Sequence, residues 1–283
     1  MSWRRRPKPN WDGRVTPLRP WRAGAFPPRK SKRPSETWIP KTFRQEYEAS
    51  FENYAGLAYY AFEREKNVAA QSYNPQAKLC WALDFNLNPM ASVIAQIEDR
   101  TTASDVRMGY RSVRLNVLDE IVLPHSNTQE ACRVFESRAR ELTGGRNIQL
   151  AVYGDPAGNA GNTAAAGQSD WNIVQEFLSR CPGIQASYHV PSAHAAVRDR
   201  VNATNAMICT QSEERRLYVD PKCRQLIQDL EQVTWKEDGN GNTLGELDKR
   251  DPQRTHVSDA LGYLIEEEFG IRGFAGFHSD RIF

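Results

Sequence analysis

A chain of 283 residues is long enough for one large domain or two small ones, and 40% hydrophobic with 25% charged residues is an ordinary globular composition. It contains no run of 18 apolar residues, and no apolar stretch follows its basic first residues, so a membrane span and a secretory signal are excluded. Five cysteines without a CxxC pair argue against a disulfide framework or a zinc ribbon, and a reducing cytoplasm is the expectation.

The net charge of +2 hides an asymmetry. Residues 1–34 hold 11 Lys or Arg against one acid, Asp12, and seven of the 16 prolines. A Pro- and Arg-rich stretch without apolar periodicity buries too little surface to offset its ordering entropy. Residues 1–35 are therefore expected to be a disordered basic tail. It is either an arm on nucleic acid, with Arg4, Arg5 and Arg6 on phosphates, or a solvated leader or linker. Residues 36–283 are expected to form the folded domain.

The folded pattern begins with Phe43, Tyr47, Phe51 and Tyr54 at helical spacing after Thr42, a lead-in helix within residues 36–72. Leu79 to Phe85 is a short apolar strand, Asn86 to Pro89 a turn, Ala91 to Glu98 a second strand and Val113 to Leu123 a third. Their short connections predict an antiparallel meander. Strands and helices then alternate. Ser126, Asn127 and Thr128 cap a helix to about Thr143, which stops at Gly144 and Gly145. Strands follow at Ile148 to Gly154, Gln185 to Val190 and Leu217 to Val219. Helices are expected from Ser169 or Asp170 to Arg180, from Ser192 or His194, from Cys223 to Val233, and from Thr255 or His256 to about Phe269. This order predicts an α/β domain: a mixed sheet, three-strand meander plus parallel strands, with helices on its faces.

Three acids stand in apolar surroundings. Asp84 sits inside LCWALDF, where an unpaired buried carboxylate is costly; the alternative is a strand-end Asp capping the turn. Asp155 follows IQLAVYG, at the carboxyl end of a core strand where open α/β sheets place their sites; the alternative is an Asp-Pro turn. Asp259 lies three residues after His256, beside the buried stripe of Val257, Leu261, Leu264 and Ile265; the alternative is an acid favoured by the helix dipole. Hard oxygen ligands from three elements suit Mg²⁺ or Mn²⁺, and two such ions can assist phosphodiester hydrolysis.

These residues and their neighbours, WALDFNLNPM, NVLDEIVLPHSNTQEAC, VYGDPAGN with GQSDWNIV, and THVSDALGYLI, resemble the nuclease domain of the large terminase subunit of tailed bacteriophages. With TFRQEYEASFENYAGLAYYAFEREKNV the resemblance spans about residues 37–269 in family order. It implies an RNase H-like fold and a metal triad of Asp84, Asp155 and Asp259 holding two Mg²⁺ or Mn²⁺ ions. His256, in an H-x-x-D setting, is implied near the second metal; a helix-capping role is the alternative. The implied activity is a DNA endonuclease that cuts concatemeric double-stranded phage DNA during packaging in the bacterial host cytoplasm. The implied partners are the portal protein, the small terminase subunit and a separate ATPase motor, since the chain has no GxxxxGK[ST]. A non-catalytic packaging or docking module and a resolvase-like nuclease for branched DNA are the alternatives.

Other candidates carry less. Asp119 and Glu120 resemble the family's DE pair but read as exposed strand acids, and Asp170 as a helix N-cap. His125, His189 and His194 have no ligand spacing. Gly154, Gly158 and Gly161 suit a close backbone approach to the metal centre. Residues 236–254 form a polar insertion in which Asn240-Gly241 suits a hairpin turn. Its Lys249, Arg250 and Arg254 are candidates for DNA phosphates, or parts of a solvated loop.

Overall fold

The computed structural model describes residues 56–107, 112–160, 168–210, 212–239 and 243–270. The basic tail with Arg4, Arg5 and Arg6, the helix expected from Thr42, and the Asn240-Gly241 turn lie outside them. Within the described part of the lead-in, the only helix is one turn, α1 (Arg64–Asn67). The expected helix does not extend through residues 56–72. Ala58, Tyr59, Tyr60 and Ala61 are buried consecutively, without a helical stripe. The Ala58 carbonyl and the Ala61 amide bond the Asn205 side chain instead.

The six-stranded sheet has the order β5–β4–β1–β2–β3–β6. β1 (Lys78–Asp84), β2 (Met90–Asp99) and β3 (Val113–Leu123) form the antiparallel meander. A single-turn helix, α2 (Ala103–Arg107), interrupts the β2–β3 connection. β4 (Ile148–Gly154) pairs parallel to β1, β5 (Ile184–His189) parallel to β4, and β6 (Leu217–Val219) parallel to β3. The expected mixed sheet is thus present. A separate antiparallel pair, β7 (Trp235–Glu237) and β8 (Thr243–Leu247), occupies the polar insertion.

Helices cover both faces, which is why β1 and β4 read as almost continuous apolar runs. On one face Leu79, Trp81 and Leu83 of β1 pack with α3 (Thr128–Thr143) and α4 (Asp170–Ser179). Trp81 stacks on Phe135 with ring centroids 4.0 Å apart. On the other face Cys80 and Ala82 pack with α5 (Val197–Ile208), α6 (Arg224–Gln232) and α7 (His256–Phe269). Strand side chains alternate faces, so Asp84 shares the face of Cys80 and Ala82 and points towards α7. Asp155 has the parity of Ala151 and Tyr153, which lie in the same core.

The caps follow the sequence at α3, where Asn127 accepts from the Glu130 amide and Gly144 terminates at φ 64°. Ser169, not Asp170, caps α4; the Asp170 carboxylate accepts from the Thr128 hydroxyl instead. α5 starts at Val197, later than expected, because residues 191–196 run as an irregular segment that carries His194 to Asp155. No described helix is long and apolar enough to cross a membrane.

Candidate active site

Asp84 and Asp155 leave the sheet side by side. Leu83 and Gly154 are register partners in the parallel β1–β4 pair, and the Asp155 amide donates to the Leu83 carbonyl at 3.2 Å. The Trp171 indole donates to the Asp155 carbonyl at 2.8 Å. Backbone bonds on both sides therefore fix where Asp155 emerges. Gly154 is required there: a Cβ would stand 2.5 Å from the Leu83 carbonyl oxygen. Gly158 similarly lies against the Phe85 ring. The close approach expected of this Gly-rich loop is to the end of β1; Gly161 lies outside the described residues.

α7 supplies the other side. His256 Nδ1 lies 3.0 Å from Asp84 Oδ2, and His256 Nε2 lies 3.2 Å from the Pro252 carbonyl oxygen. Oxygen acceptors at both ring nitrogens favour the imidazolium, and the Asp84 hydrogen bond raises the His256 pKa above its ordinary value despite burial. Asp84 itself is pushed up by burial, opposed by His256 and reinforced by the charges of Asp259 and Asp155. Asn86, in the turn after β1, donates to Asp84, and its amide nitrogen lies 3.1 Å from His256 Nδ1.

Asp259 is buried and paired on both oxygens. Arg200 Nη2 of α5 approaches Oδ1 at 2.5 Å, and Lys249 Nζ approaches Oδ2 at 3.3 Å. Burial works against the Arg200 charge, but Asp259 together with Tyr263, Tyr59 and Asp84 outweighs it, and the guanidinium pKa is raised. The guanidinium also lies over the Tyr263 ring, 4.6 Å from its centroid. His194 Nε2 lies 3.3 Å from Asp155 Oδ1, which also accepts from the Ala157 amide at 2.7 Å. A cavity of about 270 Å³ adjoins these groups, lined by Pro156, Pro191, His194, Arg200 and Tyr263.

The three aspartates and His256 are thus brought to one end of the sheet. The donor set, three carboxylates of like charge, fits a hard divalent cation. Among the described residues, however, no three His, Cys, Asp or Glu side chains converge as a ready metal cage. Here Arg200, Lys249 and His256 supply the compensating charge.

The insertion cations divide. Lys249 joins the site. Arg250 pairs with Asp248 at an exposed position. Arg254 bonds Gln228 at 3.0 Å and stands 3.8 Å from Asp229, so its side chain is largely spent inside the protein. Asp119 and Glu120 are not exposed strand acids. Asp119 is buried beside Arg138 and Lys222. Glu120 accepts from the amides of Gln225 and Leu226. His189 stacks on Tyr153.

Sequence reasoning missed Arg200, and it read Asn86 only as a turn residue and His194 only as a histidine without ligand spacing. The signal for Arg200 is its spacing: Arg200, Thr204 and Asn205 are polar yet lie on the buried stripe of α5 with Val201 and Ile208.

No protein-family model and no curated protein matches the chain. Among solved structures it is similar to the large terminase of a thermophilic bacteriophage, at 13% identity and a TM-score of 0.45, over 75% of this chain. The match spans 45% of that terminase's length, less than half of it. It is also similar to the large-terminase nuclease domain of bacteriophage SPP1 solved with bound Mn, at 14% identity and TM-score 0.39, covering 72% of this chain and 97% of that one. The large-terminase nuclease of thermophilic phage G20c is similar at 10% identity and TM-score 0.38, over 70% and 84% of the two chains.

Proposed function

We propose that the domain is a divalent-metal-dependent DNA endonuclease of the large-terminase type. The observation that carries this reading is the exit of Asp84 and Asp155 side by side from β1 and β4, faced by Asp259 and His256 of one helix. A two-ended sheet has many places for acids. Three carboxylates at one end, two of them buried, suit a divalent cation beside the charge that Arg200, Lys249 and His256 already supply. The resemblance of the surrounding motifs supports the same assignment.

Asp84, Asp155 and Asp259 would hold Mg²⁺ or Mn²⁺, two ions in all. Such ions, when bound, stabilise the attacking and leaving oxygens of phosphodiester hydrolysis. The chain's own residues prepare the site. His256 orients the Asp84 carboxylate through Nδ1, and Asn86 steadies the same pair. Arg200 and Lys249 offset the charge of Asp259, keeping three acids together without an ion. Gly154 and Trp171 fix the Asp155 backbone. Within this reading His256 serves Asp84 first, and Lys249 lies close enough to Asp259 to meet a backbone phosphate of double-stranded DNA. Arg250 and the tail arginines Arg4, Arg5 and Arg6 are further phosphate candidates.

The substrate proposed is concatemeric phage DNA, cut in the host cytoplasm alongside a portal protein, a small terminase subunit and an ATPase motor. A cleavage assay on linear and four-way-junction DNA, with Mg²⁺, Mn²⁺ or EDTA, tests it. Metal-dependent cutting of linear duplex is expected; cutting confined to junctions would mean a resolvase-like enzyme. One observation favours a second reading, a non-catalytic packaging module: both Asp259 oxygens are already paired with cations. No cleavage and no Mn²⁺ binding by the folded chain would establish that reading instead.

A further inference from the structure

α7, which carries His256 and Asp259, has no cap of its own. Thr255 at its N-terminus is buried at φ 75°, a left-handed conformation rare for a β-branched residue, and its side chain caps nothing. The Ser258 amide donates instead to Asp229 Oδ2 on α6, 3.2 Å away and 29 residues earlier. Asp229 is fully buried, with Arg254 Nη1 3.8 Å from its other oxygen. α6 likewise lacks a local side-chain cap. Its first amides, Gln225 and Leu226, donate to the two oxygens of Glu120 on β3 at 2.9 and 2.8 Å.

Two successive helices therefore start on carboxylates from other elements: β3 caps α6, and α6 caps α7. A buried carboxylate is a costly way to satisfy an amide that a local Ser or Asn would satisfy more cheaply. What a remote cap adds is position, because it ties the first turn of one helix to a fixed point on another. Helical residues advance about 100° each. A slip of one residue at the start of α7 would carry His256 and Asp259 away from Asp84.

We propose that Asp229 is a positioning residue for the site, setting the start and rotation of α7 so that His256 and Asp259 face Asp84. Glu120 does the same for α6 one step earlier. Only the metal-affinity arm of the test rests on the nuclease reading.

The test compares Asp229→Ala with Asp229→Asn in the full chain. Asn keeps an acceptor oxygen for the Ser258 amide, and Ala removes it. Three quantities are read: hydrogen exchange at Ser258, the ¹⁵N shift of the His256 ring at one fixed pH, and Mn²⁺ affinity by titration. In Asp229→Ala, Ser258 exchange should rise about tenfold and Mn²⁺ binding weaken by a similar factor. The His256 ring shift should move towards that of Asp84→Asn. Asp229→Asn should stay close to the parent in all three. Parental Ser258 exchange and ring shift in Asp229→Ala overturn the proposal, as does an Asn variant as defective as Ala. If Asp229→Ala does not fold, Asp229→Asn decides alone: parental values support the role and loss of them overturns it. If the parent itself binds no Mn²⁺, the nuclease reading fails, while exchange and ring shift still decide the role of Asp229.

Discussion

The His256 ring and the Asp84 carboxylate, 172 residues apart in sequence, meet at 3.0 Å across the end of β1. This contact makes a strand-end acid and a helix-start histidine one electrostatic unit. It also ties the metal-free protein's stability to pH.

The sign of that dependence follows from three groups. His256 has a raised pKa in the folded state, so its contribution is complete below its unfolded value of about 6.5 and is lost as pH rises through the folded one. Burial pushes Asp229 up to about 7, so between about pH 4 and 7 the folded chain holds a proton that the unfolded chain has released. Asp84 is raised in the same sense. Stability in EDTA should therefore fall as pH rises from about 5 to 8. Each group contributes at most about 1.4 kcal/mol per pH unit within its window. Melting temperatures across this range check it. Asp229→Asn should flatten the acid part of the curve and His256→Gln the upper part. A melting temperature that climbs over the same range would sink the argument.

Asp84→Asn separates catalysis from stability. If Asp84 holds the metal, cleavage should fall by orders of magnitude, because Asn keeps the shape and loses the charge. Metal-free stability at about pH 8 should change by less than about 1 kcal/mol or rise, since a desolvated carboxylate among like charges is removed. The lost His256 pairing offsets part of that gain. Single-turnover cleavage and thermal melts on the same preparation check both halves. Cutting at the parental rate would remove Asp84 from the metal site.

Much of this was legible in sequence. The apolar runs LCWALDF and IQLAVYG mark Asp84 and Asp155 as acids at core strands; that α7 covers the face they share is shown by the structure alone. The cap at Asn127 and the stop at Gly144 are local signals and stand where expected. What was not legible is non-local. Glu120 and Asp229 act as caps for amides 105 and 29 positions away, and nothing in their own neighbourhoods marks them. Arg200 sits in a helix whose polar residues look like solvent-facing ones until the buried stripe is laid out. Residues 58–61 are buried in a row, and the Ala58 carbonyl and Ala61 amide bond the Asn205 side chain, a partner far along the chain.

Gly154→Ala tests the placement of Asp155. The added methyl would meet the Leu83 carbonyl oxygen at 2.5 Å and the Trp171 ring at 3.2 Å. Neither neighbour is a flexible tip, so the β1–β4 pair must part locally. A loss of about 2–3 kcal/mol is expected, the usual scale of overpacking in a tight core. Cleavage should fall further than stability alone explains, because the Asp155 amide loses its bond to Leu83. Denaturant melts together with Mn²⁺ affinity check it. A variant with parental stability would show that the strands approach less closely than described.

The pairing of Arg200 with Asp259 sets a last expectation. Both side chains are nearly inaccessible, 8% and 3% exposed, so removing either partner leaves a charge that water cannot reach. Arg200→Met should cost about 3 kcal/mol in the metal-free protein, even though Lys249 remains on the other oxygen. Asp259→Asn should cost less, because the amide oxygen still accepts from the guanidinium and Tyr263 still stacks on it. The double variant should be more stable than the sum of the two losses predicts, by about 1–3 kcal/mol of coupling. Gly262 belongs to the same arrangement: a Cβ there would stand 2.9 Å from Arg200 Cδ and Cγ, so Gly262→Ala should weaken the coupling by moving the arginine. A divalent ion at Asp259 competes for the same carboxylate, and Mn²⁺ should shrink the measured coupling in the cycle. Four melts in EDTA and four in Mn²⁺ decide it. Coupling below about 0.5 kcal/mol would make Arg200 a packing residue rather than the charge that holds Asp259 in readiness.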